Sequence, residues 1–554
     1  MNTPSPSDLL AQIAQIQLME RGRLCRYTFK ERAAPATPYY KLQCWENGKN
    51  VTRYIRSEQV PMVEAALAGH AQFQELVERY AQQVIAQTRE QLATVGVKKK
   101  AGSAPGILLA QEQEIQELIT RFAAQEPTGS RVQELEVVVR TAVFKPANAL
   151  VGYLLQAAAD RIDATYQAKP GQVRKGRVCL QIQCLFGAFE LQRDYYYHEG
   201  KQQGHYPADA ALGLEGGYTP ALARILCLEG ADEASYQKAE FHLAETGGIR
   251  VSARQIQRLV QRVGQGAQVW QQREVRPEQC APCDAPVLYV SADGTGAPMR
   301  QEELAGRYGK QADGSAKTRQ VYLGCVFTQH RVDEQGHPVR DWDSTTYVSS
   351  LDTIDQFGPM LRREAVRRGM GTAGKVVLLI DGAEGLEKMG QRCFRDAVQI
   401  VDFYHAMDHA GQVLQALLGN KDHPNYRTRQ RHWAKRLLKD GVEKLIAQTR
   451  QEAVDLGRLA AVETQLGYFV GNVARMQYGT FRKRGYFIGS GVIEAGCKTV
   501  IGARCKQSGM FWSVPGAQTI LALRCIHASR RLSAFWKDRL NQHAARNDTL
   551  SLAA

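Results

Sequence analysis

Three acidic residues stand where acidic residues are costly. Asp293 closes the apolar run in VLYVSADGTG, Asp381 closes VVLLIDGAEG, and Glu494 follows the glycine-rich entry of GSGVIEAGCK. A carboxylate at the end of a buried strand needs compensation. Two such groups side by side repel each other and raise a pKa unless a cation bridges them. Hard divalent magnesium takes oxygen ligands, with manganese as a substitute. Three carboxylates can hold two such ions ~3.5–4 Å apart. Ions so held activate a water or a 3′-hydroxyl and stabilise the leaving oxygen of an in-line phosphodiester displacement, so no nucleophilic side chain is required. A strand-end Asp-Gly pair can also simply turn the chain. Two of them at suitable strands, with a glutamate on a helix, favour the metal reading. His405 closes VDFYH, three residues after Asp402. It is placed either to contact a scissile phosphate or orient a metal ligand, or to be a satisfied strand-end histidine.

A second set of residues suits a polyanion. In RVSARQIQRLVQRVG, Ser252 reads as a helix N-cap, and Ile256, Leu259, Val260 and Val263 form one apolar face. Arg254, Arg258 and Arg262 lie opposite, among glutamines. With a preceding helix over about 236–245 this resembles a helix-turn-helix whose Arg and Gln side chains could meet phosphates and base edges; a solvated helix would look similar. NYRTRQRHWAKRLLKD is the most basic run and carries Arg429, Arg431 and Lys435. After Glu494 come Lys498, Arg504 and Lys506, then Trp512 in GMFWS, a set suited to phosphate contact and base stacking. Trp512 could equally be core.

Rigid elements must position these groups. From about residue 286 the pattern alternates, with strands expected at 286–292, 321–327, 345–349, 376–380 and 398–402 and helices at 352–369 and 385–395. Three strands, helix, strand, helix, strand is the order of an RNase H-like core. In that order the first and fourth strands are parallel neighbours, which puts Asp293 and Asp381 side by side at strand ends. The fold class is therefore multidomain α/β and α-helical: an RNase H-like catalytic core with an all-α insertion, preceded by helical and β-hairpin DNA-binding modules. The segments are a β-hairpin and helical module at 1–97, with a turn at Asn47-Gly48, and a linker and helical segment at 98–175. A two-stranded and helix-turn-helix-like region follows at 176–275. The core occupies 285–405 and 481–545, the insertion 406–480, and the tail 546–554.

Bulk properties narrow the class. The 554-residue chain carries a formal net charge of +15, which points to a polyanionic partner. No apolar run reaches the ~18–20 residues of a membrane span, and the first residues do not read as a signal peptide, so a cytoplasmic, nucleoid-associated protein is expected. Twelve scattered cysteines fit reduced thiols. The lone Cys280-x-x-Cys283 pair lacks two further ligands for zinc.

The stretches SADGTG, LIDGAEGL, DFYH, GSGVIEAGCKTVIGARCKQSGMFW and ALGLEGGYTPALA together resemble bacterial insertion-sequence transposases of the ISKra family, relatives of the Mutator-like DDE group. The resemblance spans roughly 180–535. It implies a magnesium-dependent DNA transposase that binds the terminal inverted repeats of its element, cleaves the ends and joins them to target DNA. Asp293, Asp381 and Glu494 match the three acidic positions, and Asp402 and His405 match the Asp/Cys-x-x-His signature. Double-stranded DNA is the implied partner, and cutting two ends implies a homodimer or larger assembly. The chain departs from its relatives in having no cysteine pair in YYYHEGKQQGHYPAD and in carrying Ile501 where retroviral-type integrases place a basic residue. Two other classes stay open: a structure-selective nuclease or resolvase on the same fold, and a non-catalytic DNA-binding regulator.

Overall fold

Alternating apolar residues and glycine-bounded turns build two compact units, Met1–Gly106 and Ile107–Ala554. The structure, a computed structural model, describes residues 6–27, 39–46, 49–94, 116–118, 120, 122, 128–276, 278, 280–309, 311 and 314–548. The expected linker at 98–106 and the end of the tail lie outside the described residues.

The first unit holds helix α1 (Pro6–Ala14), strands β1 (Arg23–Tyr27), β2 (Tyr39–Glu46) and β3 (Lys49–Ile55), and the long helix α2 (Val60–Thr94). The strands form an antiparallel sheet in the order β1-β2-β3. Glu46 pairs with Lys49 across the expected hairpin, whose Asn47-Gly48 turn is outside the described residues. Leu42 and Cys44 of β2 are buried with Leu9 and Leu76.

In the second unit, helix α3 (Gly129–Thr165) packs on β5 of a long hairpin, β4 (Gln172–Cys184) and β5 (Gly187–His198). Gly187, at φ +148°, opens β5 at the turn of this hairpin. The short strand β6 (Gln203–His205) completes this sheet. Four helices follow: α4 (Pro207–Ala211), α5 (Pro220–Asp232), α6 (Tyr236–Gly247) and α7 (Ala253–Gln272). Gly248, at φ +61°, ends α6. Ser252 caps α7 as its composition suggests: its Oγ accepts from Gln255 N at 3.4 Å, while Gln255 Oε1 accepts from Ser252 N at 3.1 Å. The apolar face of α7 is fully committed, since Ile256, Leu259, Val260 and Val263 are buried against α5, α6 and a C-terminal helix, Val514–Ala528. The helix pair expected as a DNA-reading region is thus built into the main core.

The central sheet comprises β7 (Val287–Pro298), β8 (Thr318–Gln329), β11 (Thr346–Ser350), β12 (Lys375–Ile380) and β13 (Val398–Val401), with a two-residue pair β9 (Arg331–Val332) and β10 (Pro338–Val339) beside it. The order is β11-β8-β7-β12-β13. β8 is antiparallel to both β11 and β7, and β12 is parallel to both β7 and β13. Both faces are covered, which explains the unbroken apolar runs. Leu378 and Ile380 point to a layer with α8 (Ile354–Arg367) and α9 (Glu384–Cys393), while Val377 and Leu379 point to the larger core on the other side.

Helices then fill the stretch after β13: α10 (Phe403–Leu418), α11 (Tyr426–Leu437), α12 (Val442–Asp455), α13 (Leu459–Asn472) and α14 (Tyr478–Lys483). The chain returns to the sheet with α15 (Gly491–Gly496), a π-helical turn over Cys497–Gly502, α16 (Ala503–Cys505), α17 (Val514–Ala528) and α18 (Leu532–Asp548). Such π turns concentrate at functional sites.

Candidate active site

The register of the sheet decides where the carboxylates go. Ile380 of β12 pairs with Ala292 of β7, so Asp381 and Asp293 are the next residues on adjacent parallel strands, which run ~4.8 Å apart. Side chains alternate across a strand. Ala292 and Ile380 belong to the layer with α8 and α9, so both aspartates project to the opposite face. That is the face on which α15 meets β7 and β8. One expectation is corrected: β7 does not end at Asp293. It runs on to Pro298, paired with β8 alone. Asp293 therefore sits where β7 parts from β12, and Asp381 where β12 ends.

Each aspartate is oriented by its own turn. Asp293 Oδ1 accepts from Gly294 N at 2.6 Å, and Asp381 Oδ1 accepts from Ala383 N at 3.0 Å. Glu494 is exposed on α15, the helix that meets β7 and β8. Its Oε1 accepts from Ser490 Oγ at 3.0 Å. One turn on, Cys497 Sγ donates to Asp293 Oδ2 at 3.5 Å, and burial beside Asp293 pushes its thiol pKa well up. Residues three apart share a helix face, so Glu494 faces the side of the sheet that Cys497 touches. The three carboxylates do not converge to one point: among the described residues, the group whose ligand atoms all lie within 4.8 Å of one another is Glu229, Glu233 and His242.

Partner charges test whether the set fits a hard cation. The acids after the strand are engaged: Glu384 with Lys388, and Glu387 with Arg475 at 2.8 Å. Both stand in the first turn of α9, where the helix dipole favours acids. Among the described residues no ion pair involves Asp293, Asp381 or Glu494. An all-oxygen set without a basic side chain is what magnesium or manganese would complete. Asp402 is not free to join it. At 1% exposure it caps α10, accepting from His405 N at 2.7 Å, and its other oxygen accepts from Ser490 N. His405 is exposed at the start of α10.

Two residues that the sequence did not single out stand beside Asp381. The Tyr468 ring of α13 stacks on His409 of α10, centroids 3.6 Å apart, and a Cβ on Gly382 would lie 2.4–2.6 Å from that ring and its hydroxyl. The Tyr468 pKa is pushed well up by burial and by Asp381; burial and His405 draw that of His409 down. Gly382→Ala should therefore cost about 1–3 kcal/mol by overpacking, because the stacked ring has no room to retreat. Urea denaturation measures it, and an unchanged midpoint would mean that the ring moves freely.

The expected DNA contacts divide. Arg254, Arg258 and Arg262 are exposed on α7, Arg431 and Lys435 on α11, and Lys498 after Glu494. Lys506 is exposed and donates to Thr295 Oγ1, two residues beyond Asp293. Arg429 is held by Glu452 at 2.5 Å. Arg504 and Trp512 are corrected: they are 1% and 7% exposed and serve the core. The Arg504 guanidinium lies between the rings of Tyr236 and Trp512, 4.7 and 5.0 Å from their centroids, and donates to Ala234 O at 3.1 Å. Such sandwiching suits a weakly hydrated, delocalised cation. Trp512 Nε1 donates to Cys505 O at 3.2 Å. The exposed aromatic of this stretch is Phe511 instead.

Fold and site together define a mixed α/β protein whose parallel strands deliver two carboxylates to one face. Residues 127–530 match the model of an uncharacterised protein family, UPF0236, and the chain belongs to that family. A comparison with curated proteins gives no match. Among solved structures, the chain is similar to the Drosophila P element transposase strand transfer complex, with 11% identity and a TM-score of 0.21 over 58% of this chain and 80% of that one. No helix among the described residues is long and apolar enough to cross a membrane.

Proposed function

We propose that this protein is a DNA transposase of the DDE type on an RNase H-like core, with the helices over 403–483 as its insertion. The observation that carries the reading is the paired register of Ala292 with Ile380, which sets Asp293 and Asp381 together on the face reached by the Glu494 helix. Asp293, Asp381 and Glu494 would hold divalent magnesium, or manganese in its place. Bound there, such ions acidify the attacking hydroxyl and neutralise charge on the leaving oxygen. The protein's own part is positioning. β7 and β12 fix the two aspartates, Ser490 orients Glu494, and Lys506 and Lys498 offer cations to phosphates nearby. In end cleavage a water oxygen bonds to phosphorus as the P–O3′ bond breaks. In joining, the freed 3′-hydroxyl oxygen bonds to a target phosphorus as the target P–O3′ bond breaks; the hydroxyl proton passes to solvent, and the leaving 3′-oxygen takes one up from it.

The resemblance of the Asp-Gly, DFYH and GSGVIEAGCK stretches to ISKra transposases supports this reading, as does the basic surface, and a transposase of this kind would act at the nucleoid in a bacterial cytoplasm. The test is an in vitro reaction of the purified protein with magnesium, DNA carrying the element ends and a target plasmid. Joined products are expected. Cleavage of branched DNA without joining would move the assignment to a resolvase, and sequence-specific binding with no chemistry would make it a regulator.

A further inference from the structure

The sheet of the first unit has an outer face that the carboxylate site does not explain. Side chains alternate across each strand. Leu42 and Cys44 of β2 are buried, so Tyr39, Lys41 and Trp45 point the other way. The register carries this alternation to the neighbouring strands. Cys25 and Tyr54 both pair with Lys41, and Tyr27 pairs with Tyr39. Ring contacts confirm the shared face: Tyr27 lies 5.8 Å from Tyr39 and 5.7 Å from Tyr54, and Lys41 Nζ is 5.8 Å from the Tyr27 centroid. Arg23, opposite Gln43, adds a second cation. Among the described residues, no strand position on this face is acidic. Trp45 and Tyr54 are each 72% exposed.

Large rings spread over one sheet face are costly to leave in water and mark a binding surface. Their flat faces match nucleobases, and stacking on aromatics tolerates any sequence. A duplex hides its base faces and offers phosphates, which call for many cations. Here rings outnumber cations, and Lys41 is itself laid over a ring. We propose that the outer face of the β1-β2-β3 sheet is a stacking platform for the unpaired bases of single-stranded DNA, with Tyr27, Tyr39, Trp45 and Tyr54 as the stacking rings and Arg23 and Lys41 as phosphate contacts. The proposal stands on this sheet alone, and a chain with inert carboxylates would still bind.

The test uses the full-length protein and a fluorescent oligodeoxythymidine of about 20 nucleotides, longer than one such platform covers, beside a duplex of equal length. The wild type should bind the single strand and quench a tryptophan signal that Trp45→Phe removes. Trp45→Ala and Tyr54→Ala should each weaken single-strand binding about fivefold or more. The salt dependence should stay unchanged, because the lost contacts are to bases. Trp45→Phe should keep most of the affinity. Both residues are exposed, so unchanged melting curves establish that the variants fold. Absence of single-strand binding by the wild type, wild-type affinity in the doubly substituted protein, or losses that fall equally on the duplex would each overturn the proposal.

Discussion

Asp381→Asn should lower magnesium-dependent end cleavage and joining by about 10²- to 10³-fold or more, since bound metal supplies several kcal/mol of transition-state stabilisation and each 1.36 kcal/mol is tenfold in rate. Asparagine keeps the size of the side chain and can still accept from Ala383 N, which now meets Asp381 Oδ1 at 3.0 Å. What it removes is the charge. Asp293→Asn should act alike, because its neighbour relation to Asp381 is fixed by the same ladder. Neither variant should be less stable. Two adjacent carboxylates repel when no cation lies between them, so the melting temperature without metal should stay level or rise slightly. Calorimetric titration with manganese separates the steps: heat released by the wild type should be lost from both variants, while binding of end DNA persists. Near-normal cleavage by Asp381→Asn would remove this residue from the site. Silence of the wild type in both titration and cleavage would remove the metal reading altogether.

The sheet was legible because burial on both faces writes itself as unbroken apolar runs. Val376 to Ile380 can hardly be anything but an inner strand, and the Asp-Gly that ends the run marks where it leaves the core. The Asn47-Gly48 pair announced the hairpin of β2 and β3, and Ser252 before an amphipathic run announced its cap, for similarly local reasons. Residues joined only through tertiary packing were not legible. Tyr468 lies far along the chain from Asp381, and no local spacing announces that its ring backs Gly382. Arg504 and Trp512 look like a cation and an aromatic on an exposed segment. Their burial depends on Tyr236, from a helix that sequence reading assigned to a separate region. The π turn over Cys497–Gly502 also breaks the regular helical period between Glu494 and Arg504, so face assignments carried past it fail. Cys497 could have been found, three residues after Glu494 on the same helical face. The outer face of the N-terminal sheet was hidden differently: its hairpin could be read, but which side of the hairpin a helix covers could not.

Asp402→Ala should both destabilise the protein and disable the site, by on the order of 3 kcal/mol in stability from loss of a cap and of a second buried charged hydrogen bond. The residue ties three segments together. Its backbone N donates to Ile380 O at 2.8 Å, on the strand that delivers Asp381. One carboxylate oxygen receives His405 N at 2.7 Å and fixes the start of α10. The other receives Ser490 N, at the entry to the Glu494 helix, and Phe403 N reinforces that junction by donating to Ile488 O at 2.8 Å. Alanine leaves two buried N–H donors without acceptors. Asparagine offers one oxygen and one NH2 group to two donors, so Asp402→Asn should recover only part of the loss. Ser490→Ala isolates the remaining link: it keeps the backbone bond to Asp402 but removes the hydroxyl that Glu494 accepts at 3.0 Å. It should leave stability within about 1 kcal/mol of wild type and raise the manganese concentration needed for half-saturation. Measured well below the melting temperature of each variant, joining should fall further in Asp402→Ala than the folded fraction accounts for. A folded Asp402→Ala protein with the joining rate and manganese affinity of the wild type would mean that the α10 junction holds the fold without aiming Glu494, and the coupling between the second and third carboxylates would have to run through the sheet instead.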